Sequence, residues 1–191
     1  MNFIKTEIED VVIVEPKVFG DERGYFVETF REDKLAEFLG KKINFCQDNE
    51  SKSKKGVLRG LHYQLPPFAQ TKLVRVIKGK VLDVAVDIRK GSPTFGKHIA
   101  IELSGTNKRQ LLVPRGFAHG FVVLEDDTIF AYKVDNYYSA DHDRGILFCD
   151  KTLGIDWKLD EKDVLLSDKD KVQPLLKESS ELFEYGVDYY E

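Results

Sequence analysis

Hydrophobic positions along this chain come in short runs with a period of two, and few stretches carry a helical period. Residues 11–15, 25–30, 57–63, 72–77, 81–88, 99–103, 109–113, 120–124 and 128–134 are rich in branched and aromatic side chains and are bounded by turn residues, which predicts nine strands. In 81–88 the residues Leu82, Val84, Val86 and Ile88 alternate with Val81, Asp83, Ala85 and Asp87, the pattern of a sheet with two unlike faces. Lys78-Gly79 supplies the turn back to the strand of Leu73, Arg75 and Ile77. Helical periodicity is confined to 31–39, where Leu35, Phe38 and Leu39 share one side, and to a short turn at 160–163. The expected fold is therefore all-β, a sandwich or barrel with a few short peripheral helices. No linker, low-complexity tract or internal repeat divides it, so residues 1–191 are expected to form one domain, with about 177–191 as a peripheral helix or arm.

Length agrees with this: 191 residues are enough for one substantial core. The net charge of −4 and dispersed basic residues argue against a nucleic-acid surface, and the Lys-Ser-Lys-Lys run at 52–55 reads as a solvated loop. The first residues contain no long apolar run, so neither a signal peptide nor a membrane span is expected, and the cytoplasm is the expected location. Cys46 and Cys149 lie beside Phe45 and Phe148, which suits buried reduced thiols better than a disulfide.

Two segments break the apolar pattern with charges. Val57-Leu58-Arg59-Gly60-Leu61-His62-Tyr63-Gln64 is followed by Lys72, and Val113-Pro114-Arg115-Gly116-Phe117-Ala118-His119-Gly120 is a second version downstream. A strand histidine is most often structural, its ring satisfied by backbone. Arg59 and Lys72 shift that weighting for His62, because nearby cations favour the neutral imidazole that a general base requires. Arg59 and His62 are an odd number of positions apart and should face opposite ways, so a bulge at Gly60 is needed to bring them to one surface. A metal centre is not expected: the chain has four histidines, the position two after His62 is Gln64, and no carboxylate follows at ligand spacing. Arg-Gly occurs at Arg23, Arg59, Arg115 and Arg144, and converging guanidinium forks would suit a diphosphate, since no glycine-rich phosphate loop is present. Phe26 and Phe121 read as core, whereas a buried Tyr132 needs a hydrogen-bond partner or a role as proton donor.

Taken together, these residues resemble the dTDP-4-dehydrorhamnose 3,5-epimerase family, small cupin-fold enzymes. The resemblance runs from Phe19-Gly20-Asp21-Glu22-Arg23-Gly24 to Leu166-Ser167-Asp168-Lys169-Asp170, and its most specific parts are Gln47-Asp48-Asn49, the Arg59 to Gln64 and Arg115 to Gly120 segments, Lys72-Leu73-Val74-Arg75-Val76, Tyr132-Lys133 and Asn136-Tyr137-Tyr138. It implies a cupin-type jelly roll and cofactor-independent inversion of C3 and C5 of dTDP-4-dehydro-6-deoxy-D-glucose through an enolate. By resemblance His62 is the base, Tyr132 the proton donor, Lys72 the enolate stabiliser, and Asp170, or else Asp168, the carboxylate behind His62. Phe19, Arg23, Glu28, Gln47, Asp48, Asn49, Arg59, His119, Tyr138, Asp143 and Lys169 match substrate-binding positions, with Phe19 and Tyr138 stacking on thymine. The resemblance also implies a homodimer that exchanges edge strands. Three alternatives stay open at this point: an epimerase acting at C3 or C5 only, a metal-dependent cupin, and a non-catalytic sugar-nucleotide binder.

Overall fold

The computed structural model describes residues 1–190. In chain order its strands are β1 (Asn2–Lys5), β2 (Val12–Glu15), β3 (Val18–Asp21), β4 (Gly24–Val27), β5 (Gln47–Ser53), β6 (Leu58–Gln64), β7 (Lys72–Lys78), β8 (Lys80–Asp87), β9 (Arg89–Lys90), β10 (His98–Ser104), β11 (Gln110–Val113), β12 (Phe117–Val123), β13 (Thr128–Val134), β14 (Asp143–Gly145) and β15 (Phe183–Glu184). One sheet is ordered β1-β2-β11-β7-β13-β5 and the other β10-β8-β12-β6-β14, while the β3–β4 hairpin and the β9–β15 pair stand apart. All nine expected strands are present, although 25–30 is strand only as far as Val27. The two sheets form the jelly-roll sandwich that the pattern and the resemblance implied.

Alternation within each strand sorts the core into three layers. Val74, Val76, Leu111 and Val113 of the first sheet meet Val81, Ala85, Phe117 and Phe121 of the second, with Phe130 between them. The outward residues of β8, Leu82, Val84 and Val86, and Ile88 just after it are buried as well, under a cover that includes Ile146, Phe148, Trp157, Leu176 and Phe183. On the other flank, α1 (Glu32–Leu39) lays Leu35 on Val12, Val14, Leu73 and Leu112. Glu32 and Asp33 in its first turn complement the helix dipole, and left-handed Gly40 ends it. Each fully buried Leu or Phe in these layers contributes roughly 1.5–3 kcal/mol of apolar burial.

Several expectations are corrected. β5, Gln-Asp-Asn-Glu-Ser-Lys-Ser, takes in Lys52 and Ser53 of the run expected to be a loop; it is an edge strand without apolar residues, because part of it borders the cavity instead of a core. Cys46 is exposed while its neighbour Phe45 packs on an apolar cluster, and Cys149 is only partly buried, packed beside Phe148 at the edge of its cluster. Phe26 is 65% exposed because its hairpin lies on neither sheet. In the tail, expected as a helix or an arm, the regular structure is one short 3-10 turn at Leu176–Glu178 and the two residues of β15.

The bulge expected at Gly60 is present. β12 pairs His119 with His62 but Phe121 with Arg59, so β6 carries one extra residue across this step. Gly60 has φ +117°, and a Cβ there would lie 2.6 Å from both the Gly120 Cα and the His119 carbonyl oxygen. Gly120 is equally confined, since its own Cβ would lie 2.8 Å from the Arg59 carbonyl oxygen. Gly60→Ala is therefore expected to destabilise the fold by about 2 kcal/mol or more, through overpacking and a strained φ together. Urea unfolding checks this, and an unmoved midpoint would show that the two backbones can part without cost.

Candidate active site

Between the sheets lies a cavity of about 640 Å³, lined by Arg59, His62, Lys72, His119, Tyr132 and Asp170 among others. Alternation aims most of these side chains. In β13, Phe130 and Tyr132 face inward, and in β7, Lys72 begins the inward row continued by Val74 and Val76. The bulge at Gly60 does the rest, putting Arg59 and His62 on the cavity side together. His119 stands directly across from His62 on β12.

His62 and Asp170 form a dyad, with the imidazole Nε2 2.5 Å from Asp170 Oδ1. The other carboxylate oxygen accepts from the Ser167 hydroxyl at 2.7 Å. Asp170 is 3% exposed. Burial pushes its carboxyl up, but the hydrogen bond and charge of His62 and the Ser167 hydroxyl outweigh that, leaving it below the usual carboxylate range. Asp168, the alternative, points into solvent and pairs with Lys171 at 2.8 Å. Geometry therefore puts Asp170, not Asp168, behind His62.

Two further groups in the cavity have no protein partner. Lys72 makes no side-chain hydrogen bond or ion pair among the described residues; burial pulls its ammonium down to about 8, against the opposing charges of Asp143 and Asp83. The Tyr132 hydroxyl has no hydrogen-bond partner among the described residues, and burial pushes the phenol up while Arg59 opposes. His119 differs: its Nε2 lies 2.9 and 3.1 Å from the two oxygens of Asp83, which is fully buried. A carboxylate-backed imidazole, an unpartnered phenol and an unpartnered ammonium suit proton abstraction, proton delivery and stabilisation of an oxyanion.

The remaining sequence candidates divide into three groups. Gln47 and Asn49 lie on β5, Gln47 donating to Asn49 at 2.8 Å, and Asn49 is paired with Tyr132. Asp48 between them binds Lys133 at 2.8 Å, and none of the three lines the cavity. Tyr138, Asp143 and Lys169 make a separate cluster in which the tyrosine hydroxyl donates to Asp143 at 3.0 Å and Lys169 pairs with the same carboxylate. Phe19, Arg23 and Glu28 are in or just after the β3–β4 hairpin and do not line the cavity; Arg23 pairs with Asp21 and Glu28 with Arg31. Nor do the four Arg-Gly arginines converge: only Arg59 lines the cavity, whereas Arg115 binds Asp135 and Arg144 binds Glu181.

Sequence reasoning missed Ser167, Asp83, Ser51 and Lys54. Asp83 carried a signal, an acid at an inward position between the apolar residues Val81 and Ala85. Ser51 and Lys54 carried none, because the polar β5 gave no strand pattern and its inner face meets the cavity instead of a core. Among the described residues, no group of three His, Cys, Asp or Glu side chains could hold a metal ion, and no helix is long and apolar enough to cross a membrane.

The family model for dTDP-4-dehydrorhamnose 3,5-epimerase matches residues 5–178. The chain is 61% identical over 170 residues to the dTDP-4-dehydrorhamnose 3,5-epimerase of Shigella flexneri, covering 89% of this chain and 93% of that protein. The dTDP-6-deoxy-D-glucose-3,5-epimerase of Legionella pneumophila, solved with dTDP-4-keto-L-rhamnose, superposes with a TM-score of 0.93 at 50% identity, over 97% of this chain and 99% of that one. A 3'-monoepimerase from Streptomyces bikiniensis, solved with dTDP-quinovose, gives a TM-score of 0.86 at 32% identity, over 91% and 87% of the two chains.

Proposed function

The chain belongs to the dTDP-4-dehydrorhamnose 3,5-epimerase family, and we propose that the cavity between its sheets is where His62, Lys72 and Tyr132 carry out that reaction. The reaction inverts C3 and C5 of dTDP-4-dehydro-6-deoxy-D-glucose to give dTDP-4-dehydro-L-rhamnose, a step in dTDP-L-rhamnose biosynthesis. The observation that carries the assignment of roles is topological. His62 projects from the five-stranded sheet and Tyr132 from the six-stranded sheet, so base and donor face each other across the cavity.

The C4 ketone acidifies the hydrogens on C3 and C5. His62 takes one of these protons, and the imidazolium that forms is stabilised by the Asp170 carboxylate. The electron pair moves onto the ketone oxygen, where the Lys72 ammonium offsets the enolate charge in a site of low dielectric. Tyr132 returns a proton to the opposite face of the same carbon. One proton leaves and one arrives at each centre, so no electron acceptor is required. Arg59 and Lys169 supply positive charge for the diphosphate, Gln47, Asn49 and His119 donors and acceptors for the sugar, and Tyr138 a stacking face for thymine, with Asp143 orienting Tyr138 and Lys169.

Phe19, Arg23 and Glu28 complete this set only if a second copy supplies them. The β3–β4 hairpin exposes Phe19 at 48% and Phe26 at 65% and has no core of its own. Such a surface favours burial against another chain. We place the partner's hairpin over the mouth of this cavity, which makes the enzyme a homodimer with shared sites.

Three outcomes test these assignments. In deuterated water the protein is expected to introduce label at both C3 and C5, read by NMR; label at one carbon alone would overturn the double inversion. His62→Ala should slow exchange about 1,000-fold with nucleotide binding kept, whereas Tyr132→Phe should keep exchange and lose inversion. Secondly, kcat is expected to fall as pH rises through about 8, where Lys72 loses its proton, and this limb should be absent from the residual activity of Lys72→Gln. Thirdly, inactive His62→Ala and Arg23→Ala chains, unfolded and refolded together, should regain about one quarter of the full activity, because half the dimers then carry one intact site. No recovery would mean that Arg23 does not act across the dimer.

A further inference from the structure

Three strand ends meet beside Lys72. Val113, the last residue of β11, and Val134, the last of β13, both pair with Lys72, the first residue of β7. Just beyond these ends lie Thr71, Arg115 and Asp135. Asp135 ties the corner together: one carboxylate oxygen accepts from the Thr71 backbone N–H at 2.6 Å, and the other lies 3.1 Å from the Arg115 guanidinium. Thr71 is fully buried, and the Asp135 and Arg115 side chains nearly so. Nothing in the reaction uses this corner directly.

The C-terminal arm closes over it. The Tyr190 hydroxyl shares a 2.8 Å hydrogen bond with the Thr71 hydroxyl and accepts from the Arg115 backbone N–H at 3.4 Å. Arg115 donates through its guanidinium to the Tyr189 carbonyl oxygen at 2.5 Å. Lys41 and Arg115 lie over the Tyr190 ring, 3.5 and 4.8 Å from its centroid. The arm reaches this position along a fixed route. β15 pairs with β9, and the Tyr189 ring packs edge-on to Phe183 at 4.8 Å while its hydroxyl accepts from the Glu184 N–H. The arm residues in these contacts, Phe183 to Tyr190, lie beyond residue 178, where the family match ends.

We propose that Tyr190 is a positioning residue for Lys72: the docked arm clamps the strand ends from which Lys72 projects, holding its ammonium where the enolate oxygen develops and keeping water from entering behind it. This rests on the assignment of Lys72 as the enolate clamp. The physical reason is that a charge stabilises an oxyanion only when it is held in place beforehand, and a displacement of about 1 Å can cost on the order of 100-fold in rate.

Steady-state kinetics over a range of pH test it. Tyr190→Ala is expected to lower kcat about 10-fold with KM changed less than about twofold, and to move the alkaline limb upward as water reaches Lys72. Tyr190→Phe keeps the ring and should show a smaller change in the same direction. Thr71→Val removes the other hydroxyl of the same hydrogen bond, so the double variant should be no worse than either single one. If Tyr190→Ala does not fold, Tyr190→Phe and Thr71→Val decide by the same readouts. A limb that stays in place with kcat preserved, even with a lower Tm, would overturn the inference and leave the arm a fastening. An unsubstituted protein with no limb near pH 8 would instead overturn the assignment of Lys72.

Discussion

Gly60 of β6 and Gly120 of β12 meet backbone to backbone, at a distance no side chain permits. That contact accommodates the extra residue in β6, and the extra residue turns Arg59 to the same side as His62. A regular strand would send one of the two into the layer of Leu82, Val84 and Phe148, where an unpaired charge costs several kcal/mol. Imidazole and guanidinium thus share a cavity because two adjacent strands each carry a glycine at the same level.

The interior of the sandwich is part core and part cavity. Val74, Val76, Leu111 and Val113 pack in the core, whereas Lys72, His119 and Tyr132 line the cavity together with Phe121 and Phe130. Charges there are sustained by partners set behind them: Asp170 behind His62, Asp83 behind His119, Ser167 behind Asp170. Lys72 and Tyr132 lack such partners and are the two groups that burial shifts toward their neutral forms. The site thus separates groups held ready by the protein from groups left for a substrate to engage. An ammonium and a phenol without protein partners match an incoming ketone and its enolate, because their interactions are completed only as charge develops.

Much of this was legible in the chain. Period-two runs marked the strands buried on one or both faces, and the misplaced polar residues His62, Lys72, His119 and Tyr132 marked the cavity because a sheet interior tolerates such groups only with a partner or a purpose. Even the bulge could be read, from an odd spacing with a glycine inside it. β5 escaped because its inner residues face the cavity rather than a core, so the hydrophobic pattern that identifies strands is absent. Motif membership ignores pleating, so the sequence could not show that Asp48 pairs with Lys133. Arg115 sits in a segment that mimics the Arg59 segment, yet Asp135 and the Tyr189 carbonyl occupy its guanidinium. Partners that arrive from 20 or 74 residues away leave no local trace.

Closure of the cavity depends on elements that the two sheets do not contain. Asp170 comes from the segment covering the outer face of the five-stranded sheet, so the dyad forms only once that segment has packed around Trp157 and Phe148. The arm continues from the same segment and reaches the strand ends beside Lys72. His62 and Lys72, from different sheets, are thereby tied to one length of chain, residues 146–190. In the proposed reaction a proton leaves carbon as charge builds on an adjacent oxygen, so the relative placement of His62 and Lys72 is the quantity that matters, and the C-terminal segment contacts the strands that carry both.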